Sequence, residues 1–369
     1  MGPLFIGLMS GTSLDGVDGV LAELSTDGLR VLSHASRPMP GTLRTELLAL
    51  NTRADDELHR AALAANGLMR EYAAVVAQVL ANADVAAASV SAIGAHGQTV
   101  RHRPQAFDGT GYTLQLCQPA LLAELTGIAV CADFRSRDVA AGGQGAPLAP
   151  FFHRAWLGAE GRTVGVLNIG GISNLSLLRS DGGLLGFDCG PGNALMDAWC
   201  ELHLGEPFDR DGAWAASGRV LPGLLQDLLA EPYFSLAPPK STGRDLFHRA
   251  WLDAHLVRHR SSAAEDVQAT LAELTARCCA QDALRHEPGL ETLVVCGGGA
   301  LNTHLMDRLT QLLPGAAVQS SATRGLPPLQ VEAAAFAWLA ARTLAREPLP
   351  LESITGARGA RVLGCIYPA

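Results

Sequence analysis

The chain has 369 residues, of which 48% are hydrophobic and 17% are charged, and its formal net charge at pH 7 is −8. This length exceeds the usual size of one hydrophobic core, and the composition is that of a folded protein, so two globular domains are expected. The acidic balance argues against general binding to nucleic acid or to an anionic membrane surface.

Signals for membranes and for secretion are missing from the sequence. No apolar run approaches the roughly 20 residues that a membrane-spanning helix needs, and the N-terminal stretch becomes polar too early for a signal peptide. The eight cysteines form no C-x-x-C pair, which favours buried thiols over a disulfide framework. We therefore expect a cytoplasmic protein with no membrane or nucleic-acid partner. The sequence leaves a monomer and a homodimer open.

Short apolar runs alternate with longer helical patterns along the chain, which predicts an α/β fold. Strands are predicted at Leu4–Met9, Val17–Glu23, Leu29–His34, Val90–Ala95, Tyr112–Leu116, Ile128–Ala132, Thr163–Asn168, Asn174–Leu178, Leu184–Asp188 and Thr292–Cys296. Helices are predicted at Ala54–Ala83, Ala194–His203, Asp245–Arg258, Ala263–Arg285, Leu301–Leu312 and Val331–Ala345. A glycine-rich stretch that ends at Pro150 is typical of a boundary between two halves.

Two segments share one plan, an apolar strand followed by a glycine-rich turn and a second apolar strand. They are "LFIGLMSGTSLDGVDGVLAEL" near the N-terminus and "TVGVLNIGGISNLSLLRS" in the second half. Either one alone is compatible with an ordinary tight hairpin, but one in each half favours a duplicated domain. The first turn also carries Asp15 and Asp18. A phosphate that arrives with a divalent cation would reconcile these carboxylates with an anion site.

Two further strand ends carry residues suited to ligands. The run Gly297–Gly299 joins a buried strand to a helix, as glycines do where a backbone approaches a phosphate or a nucleotide, although tight turns also use glycine. The pattern does not match the dinucleotide fingerprint, and the chain's only lysine, Lys240, is not in a Walker motif. Asp188 ends an apolar strand, where it can serve chemistry or bond its own turn amides.

Taken together, these motifs resemble the anhydro-N-acetylmuramic acid kinase family of the actin, sugar-kinase and heat-shock ATPase superfamily. The matching segments cover essentially the whole chain and include "MSGTSLDGVD", "AHGQTVRH", "DFRSRDVAAGGQGAPLAP", "NIGGISNL", "GFDCGPGNALMDAW", "PPKSTGRDLF", "CGGGALN" and "VEAAAFAWLA". One departure is Leu329-Gln330, where the family pattern has an acidic residue. The resemblance implies a two-domain actin-like, duplicated ribonuclease H-like fold. Its domains would be residues 1–135 with 350–369, and residues 136–349.

The resemblance also implies the reaction and its participants. ATP would phosphorylate the 6-oxygen of 1,6-anhydro-N-acetylmuramic acid while water opens the anhydro bond, giving N-acetylmuramic acid 6-phosphate in the recycling of cell-wall amino sugars. Asp188 would be the base, and magnesium would bind near Asp15. Glu332 would border the sugar or cap its helix. The ATP site would comprise Gly11, Thr12, Ser13, Leu14, Asp15, Gly16, Val17, Asp18, Asn168, Gly170, Gly171, Gly297, Gly298 and Gly299.

The polar groups expected to face the sugar come from three motifs, "HGQTVRH", "DFRSRD" and "GGQGAP". The candidates are His96, Gln98, Asp133, Arg135 and Asp138, of which the arginine suits the lactyl carboxylate. An internal ion-pair cluster and a satisfied strand-end histidine are the alternatives for these residues. Another sugar kinase of the same superfamily is the alternative function.

Overall fold

The computed structural model describes residues 2–11, 14–25, 28–158, 161–243 and 246–369. Its strands are β1 (Leu4–Met9), β2 (Gly16–Ser25), β3 (Gly28–Pro38), β4 (Val90–Ala95), β5 (Gln98–Pro104), β6 (Gly111–Leu116), β7 (Val130–Ala132), β8 (Val164–Ile169), β9 (Ile172–Leu178), β10 (Leu184–Pro191), β11 (Thr292–Cys296), β12 (Ala317–Ser320) and β13 (Cys365–Tyr367). Its helices are α1 (Gly41–Ala49), α2 (Glu57–Ala83), α3 (Pro119–Thr126), α4 (Ser136–Ala140), α5 (Ala149–Leu157), α6 (Ala194–Leu204), α7 (Ala213–Ser217), α8 (Pro222–Leu229), α9 (Arg249–Leu256), α10 (Ala264–His286), α11 (Thr303–Leu312) and α12 (Val331–Leu344).

The two large sheets repeat one topology. In the first sheet the strand order is β13-β7-β4-β1-β2-β3, and in the second it is β10-β9-β8-β11-β12. In each sheet three consecutive strands form an antiparallel meander, and two later strands add in parallel beside the first strand of that meander. The first sheet has one more strand, β13, which pairs antiparallel with β7 at its edge. The shared order confirms the predicted duplicated α/β fold.

The chain divides into two compact units, Met1–Trp156 with Gln330–Ala369 and Leu157–Leu329. These bounds differ from the domain prediction, because residues 136–156 and 330–349 belong to the first unit. The largest element that was predicted in the wrong unit is helix α12, which packs on β1, β2 and β4.

Glycines in the first sheet explain why α12 packs so closely on it. A Cβ on Gly7 would lie 1.8 Å from the carbonyl oxygen of Ala333, and one on Gly94 would lie 2.0 Å from that of Phe336. Both distances are far inside van der Waals contact, so the helix backbone occupies the space that side chains would need. The alanine-rich sequence of α12 permits the same close approach from the helix side.

Each unit has its own hydrophobic cluster, as two independent cores require. The first lies between α2 and the sheet of β1, β2 and β4, and includes Leu68 and Tyr72. The second lies between the long helix α10 and one face of the second sheet, and includes Leu175 and Phe187. Within the described ranges, no helix combines the length and the apolar character that crossing a membrane requires.

All the predicted strands and helices have counterparts in the structure, with ends that shift by a few residues. The prediction missed the strands β5, β12 and β13 and the helices α1, α3, α4, α5, α7 and α8. Each of these elements has nine residues or fewer, which is shorter than the roughly 11-residue window in which a hydrophobic period is recognised.

Candidate active site

In the first unit, predicted site residues gather at one edge of the sheet. Strands β1, β4 and β7 are parallel neighbours, so their carboxyl ends meet at this edge. Gly11, His96 and Arg135 each follow one of these ends within three residues. This is the edge at which open α/β sheets bind ligands.

The first hairpin is present as predicted, and its turn is tied to the unit at several points. Strands β1 and β2 pair from Leu4 opposite Glu23 to Met9 opposite Asp18. The carbonyl oxygen of Gly11 accepts hydrogen bonds from the Leu14 amide at 3.2 Å and from Nε2 of Gln98 at 3.1 Å. Gln98, which was predicted to contact the sugar, therefore stabilises this turn.

The remaining predicted residues of this turn have different environments. The side chains of Leu14 and Val17 are buried in the first hydrophobic cluster, so only their backbone groups could serve a ligand. Gly16 fits closely against β3, where a Cβ would lie 2.5 Å from the carbonyl oxygen of Arg37. Thr12 and Ser13 lie outside the described residues.

Asp15 and Asp18 provide oxygen atoms beside this turn. Asp15 is exposed, and the Asp18 carboxylate is about one-third exposed and lies 3.5 Å from Nε2 of His34. The described residues contain no cluster of three or more histidine, cysteine or acidic side chains that could hold a metal by themselves. One or two carboxylates with phosphate oxygens and water are the usual magnesium environment, and these residues fit that arrangement.

His96 and Arg135 form a defined pair. Both Nε and Nη2 of Arg135 donate to Nε2 of His96, at 3.1 and 3.0 Å, and Nη1 of Arg135 donates to the carbonyl oxygen of Gly145 at 2.8 Å. Burial and the nearby Arg135 charge lower the pKa of His96 to about 3. The imidazole is therefore neutral at physiological pH and fixes one side of the guanidinium.

The two aspartates of this region hold the backbone of their own unit. Oδ1 of Asp133 accepts a hydrogen bond from the Ser136 amide at the start of α4. Asp138 is fully buried, where its carboxylate accepts bonds from the Gly145 amide at 2.6 Å and the Thr355 hydroxyl at 2.5 Å. Burial raises the pKa of this carboxyl.

Glu332 lies in the first turn of α12 and is partly buried. One turn later, the ring of Phe336 lies 4.8 Å from the imidazole of His96, measured between centroids. Residues four apart share a helix face, so Glu332 lies on the face of α12 that packs toward His96.

In the second unit, the hairpin, the turn after β10 and the triglycine turn pack against one another. The amides of Gly192 and Asn193 donate to the carbonyl oxygens of Gly171 and Gly170, at 2.9 and 2.8 Å. A Cβ on Gly297, which has φ of 76°, would lie 2.4 Å from Oδ1 of Asn168. The structure thus brings the predicted residues Asn168, Gly170, Gly171, Gly297, Gly298 and Gly299 together at the carboxyl edge of β8 and β11.

The tip of the second hairpin leaves its backbone accessible. A Cβ on Gly170 would meet only the carbonyl oxygen of Ile172, at 3.7 Å. Packing within the chain therefore does not demand glycine here, whereas close approach by a ligand to the backbone would.

Three polar side chains lie in one row across neighbouring strands of the second sheet. Asn174 lies opposite Asn168 on one neighbouring strand and opposite Asp188 on the other, so the three share a face. That face is opposite to the one packed in the hydrophobic cluster, which holds Leu175 and Phe187. The prediction did not single out the Asn174 side chain, although Asn174 ends the hairpin turn Asn168–Asn174 that was expected to face the phosphates.

Asp188 is 7% exposed, and both its carboxylate and its backbone groups are hydrogen-bonded within the chain. Oδ2 of its carboxylate accepts a hydrogen bond from the Thr242 amide at 2.9 Å, and its amide donates to the carbonyl oxygen of Lys240 at 3.2 Å. The Tyr233 hydroxyl donates to the carbonyl oxygen of Asp188 at 2.7 Å. These contacts fix the direction of the carboxylate.

Three buried polar atoms in these regions have no hydrogen-bond partner within the described part of the chain. They are Nδ1 of His96, Oε1 of Gln98 and Oδ1 of Asn174. Unpaired buried polar atoms are costly, so a polar ligand that bonded to these three atoms would be bound favourably.

Known proteins match the chain along its length. The family described as "Anhydro-N-acetylmuramic acid kinase" matches residues 3–369. A relative with that name from Variovorax paradoxus (strain S110) is 65% identical over 373 residues, with 100% of each chain covered. Another from Albidiferax ferrireducens is 61% identical over 389 residues, again with 100% of each chain covered.

Proposed function

Because the chain belongs to the anhydro-N-acetylmuramic acid kinase family, we propose that it uses ATP to phosphorylate the 6-oxygen of 1,6-anhydro-N-acetylmuramic acid while water opens the anhydro bond. The products would be N-acetylmuramic acid 6-phosphate and ADP. The reaction belongs to the recycling of cell-wall amino sugars.

The observation that carries this proposal is the oriented carboxylate of Asp188 at the edge of the second sheet. An ether oxygen is a poor phosphoryl acceptor while both of its bonds are intact. If Asp188 takes a proton from water as the water attacks the anomeric carbon, the departing 6-oxygen gains charge and becomes nucleophilic. The phosphoryl group then replaces the acid that a glycosidase would use to protonate this oxygen.

Phosphate binding is assigned to backbone groups rather than to a lysine. We propose that Gly11–Asp18 and Asn168–Gly171 contact the phosphates and that Gly297–Gly299 lies along the nucleoside. The open tip at Gly170 supports this assignment. Magnesium near Asp15 would offset the negative charge of the phosphates.

Sugar binding is assigned to the polar edge of the first unit. Arg135 is the proposed partner of the lactyl carboxylate, because His96 and Gly145 fix its guanidinium in one orientation. Glu332 and Gln98 are proposed to border the same ligand. Asp133 and Asp138 would act through the backbone that they hold, since their carboxylates bind amides of their own unit.

The test is a product assay with the purified protein, ATP, magnesium and the anhydro sugar in water enriched in ¹⁸O. The proposal predicts a product that is heavier than the anhydro sugar by one phosphoryl group and one water. The ¹⁸O label should be in the hydroxyl group on the anomeric carbon. A phosphorylated but unopened sugar would contradict it.

A parallel reaction with ordinary N-acetylmuramic acid addresses the alternative. Steady turnover of that sugar without use of the anhydro sugar would favour another sugar kinase of the superfamily.

A further inference from the structure

The side chain of Lys240 is buried close to Asp188. Lys240 is the only lysine among 28 basic lysine and arginine residues, and it is 4% exposed. Its Nζ lies 3.0 Å from Oδ2 of Asp282 on α10, so the ammonium is paired inside the second unit.

Aromatic rings complete the surroundings of this ammonium. Its Nζ lies 5.4 Å from the ring centroid of Phe187 and 5.0 Å from that of Tyr233. The ammonium therefore has one carboxylate and two aromatic rings close to it, and both kinds of group stabilise a buried positive charge.

The same short segment contacts Asp188 at two points. The backbone carbonyl of Lys240 accepts from the Asp188 amide, and two residues later the Thr242 amide donates to the Asp188 carboxylate. Phe187 and Tyr233, which flank the ammonium, are respectively the neighbour of Asp188 and the donor to its carbonyl oxygen. The ion pair and the orientation of Asp188 therefore share one segment.

We propose that Lys240 is a positioning residue for the reaction. The Lys240–Asp282 ion pair anchors residues 240–242 on α10, and this anchor aims the Asp188 carboxylate through the Thr242 amide. The inference rests on the proposed function, since it takes Asp188 to be the general base of that reaction. Because its ammonium is paired with Asp282, Lys240 is not proposed as a phosphate ligand.

The experiment must separate positioning from stability, because a broken buried ion pair destabilises a protein by itself. Lys240→Met leaves Asp282 with its remaining partner Arg285, whose Nη1 is 3.3 Å away. Lys240→Met with Asp282→Asn removes both buried charges, so it should recover much of the lost thermal stability. It does not restore the anchor.

We expect both variants to lose about 10- to 100-fold in kcat, as small misplacements of a catalytic group do. The KM for ATP should stay within about twofold of the wild-type value, since residues 240–242 are not among the proposed phosphate contacts. The control is Arg277→Met, which removes a partly exposed ion-pair partner of Glu273 on α10 while Glu273 keeps its bonds to Arg308. It should lower stability slightly and leave kcat unchanged.

Recovery of wild-type kcat by the double variant would overturn the inference, because the role of Lys240 would then be stability alone. An equal loss of kcat in Arg277→Met would overturn it too. The wild-type protein is assayed first. If it forms no opened, phosphorylated sugar, the proposed function fails and the inference fails with it, whereas an active wild type with active Lys240 variants rejects only the inference.

Discussion

Replacing Asp188 by asparagine tests the proposed coupling of hydrolysis and phosphorylation most directly. The change removes the base but keeps the size of the side chain. The carboxamide oxygen can still accept the Thr242 amide, which donates to Oδ2 of Asp188 at 2.9 Å. A neutral acceptor replaces a charged one, so we expect a loss of only about 1 kcal/mol in the free energy of unfolding.

The expected effect on catalysis is much larger. Loss of a general base costs roughly 10²–10⁴-fold in rate, which corresponds to about 3–5 kcal/mol of barrier. Because bond cleavage and phosphoryl transfer share one transition state in this proposal, both should fall together. No phosphorylated, unopened sugar should be released.

The assay follows both products by mass while calorimetry follows binding of ATP and of the anhydro sugar. Binding should survive in Asp188→Asn, since the proposed phosphate contacts are unaltered. Near-normal turnover would refute the assignment, and so would a variant that phosphorylates the sugar but no longer opens it.

Three further predictions concern the triglycine turn, the pH dependence of stability and the stereochemistry. Gly297→Ala should raise the KM for ATP and should destabilise the protein by about 1–3 kcal/mol more than Gly182→Ala does. Both glycines have positive φ, but only a Cβ at position 297 would meet Asn168, at 2.4 Å. Equal melting temperatures of the two variants would contradict this prediction. Burial lowers the pKa values of His96 and His153 from 6.5 to about 3. Their contribution to the free energy of unfolding is therefore fully present above about pH 6.5 and is lost as the pH falls towards 3. The loss amounts to at most about 1.4 kcal/mol per pH unit for each histidine. Urea unfolding between pH 7 and 5 should show a smaller pH dependence in His153→Gln than in the wild type, and an unchanged dependence would count against it. Finally, direct attack by water inverts the anomeric centre, so NMR of fresh product should show the α anomer first, and early β anomer would indicate a covalent glycosyl intermediate.

The sequence was sufficient to predict the strands that carry the site and the residues at their ends. Apolar runs bounded by glycine marked β1, β4, β8 and β11, because buried strands leave a strong local pattern. The two hairpins and the strand end at Asp188 followed from the same signal, as did the duplication.

Features that depend on partners distant in the chain could not be predicted in this way. Helix α12 belongs to the first unit because Gly7 and Gly94 leave room for its backbone, which the periodicity of α12 does not reveal. Strand β5 was missed because its sequence, "QTVRHRP", has little apolar alternation. Lys240 follows two prolines in a stretch that looks like a solvated loop, and only the position of Asp282 shows that its charge is buried.

The division into units has a consequence for the order in which the nascent chain can fold. The second unit is one continuous segment, Leu157–Leu329, but the first lacks α12 and the edge strand β13 until synthesis nears its end. Domains fold as units while the ribosome elongates the chain, so the unit that is begun first is completed last. Until α12 emerges, the glycine-bearing face of the first sheet has no cover. A chain that ended at residue 329 would contain one complete unit and one unit whose sheet exposes the face that α12 covers, which is the kind of surface that chaperones and proteases recognise.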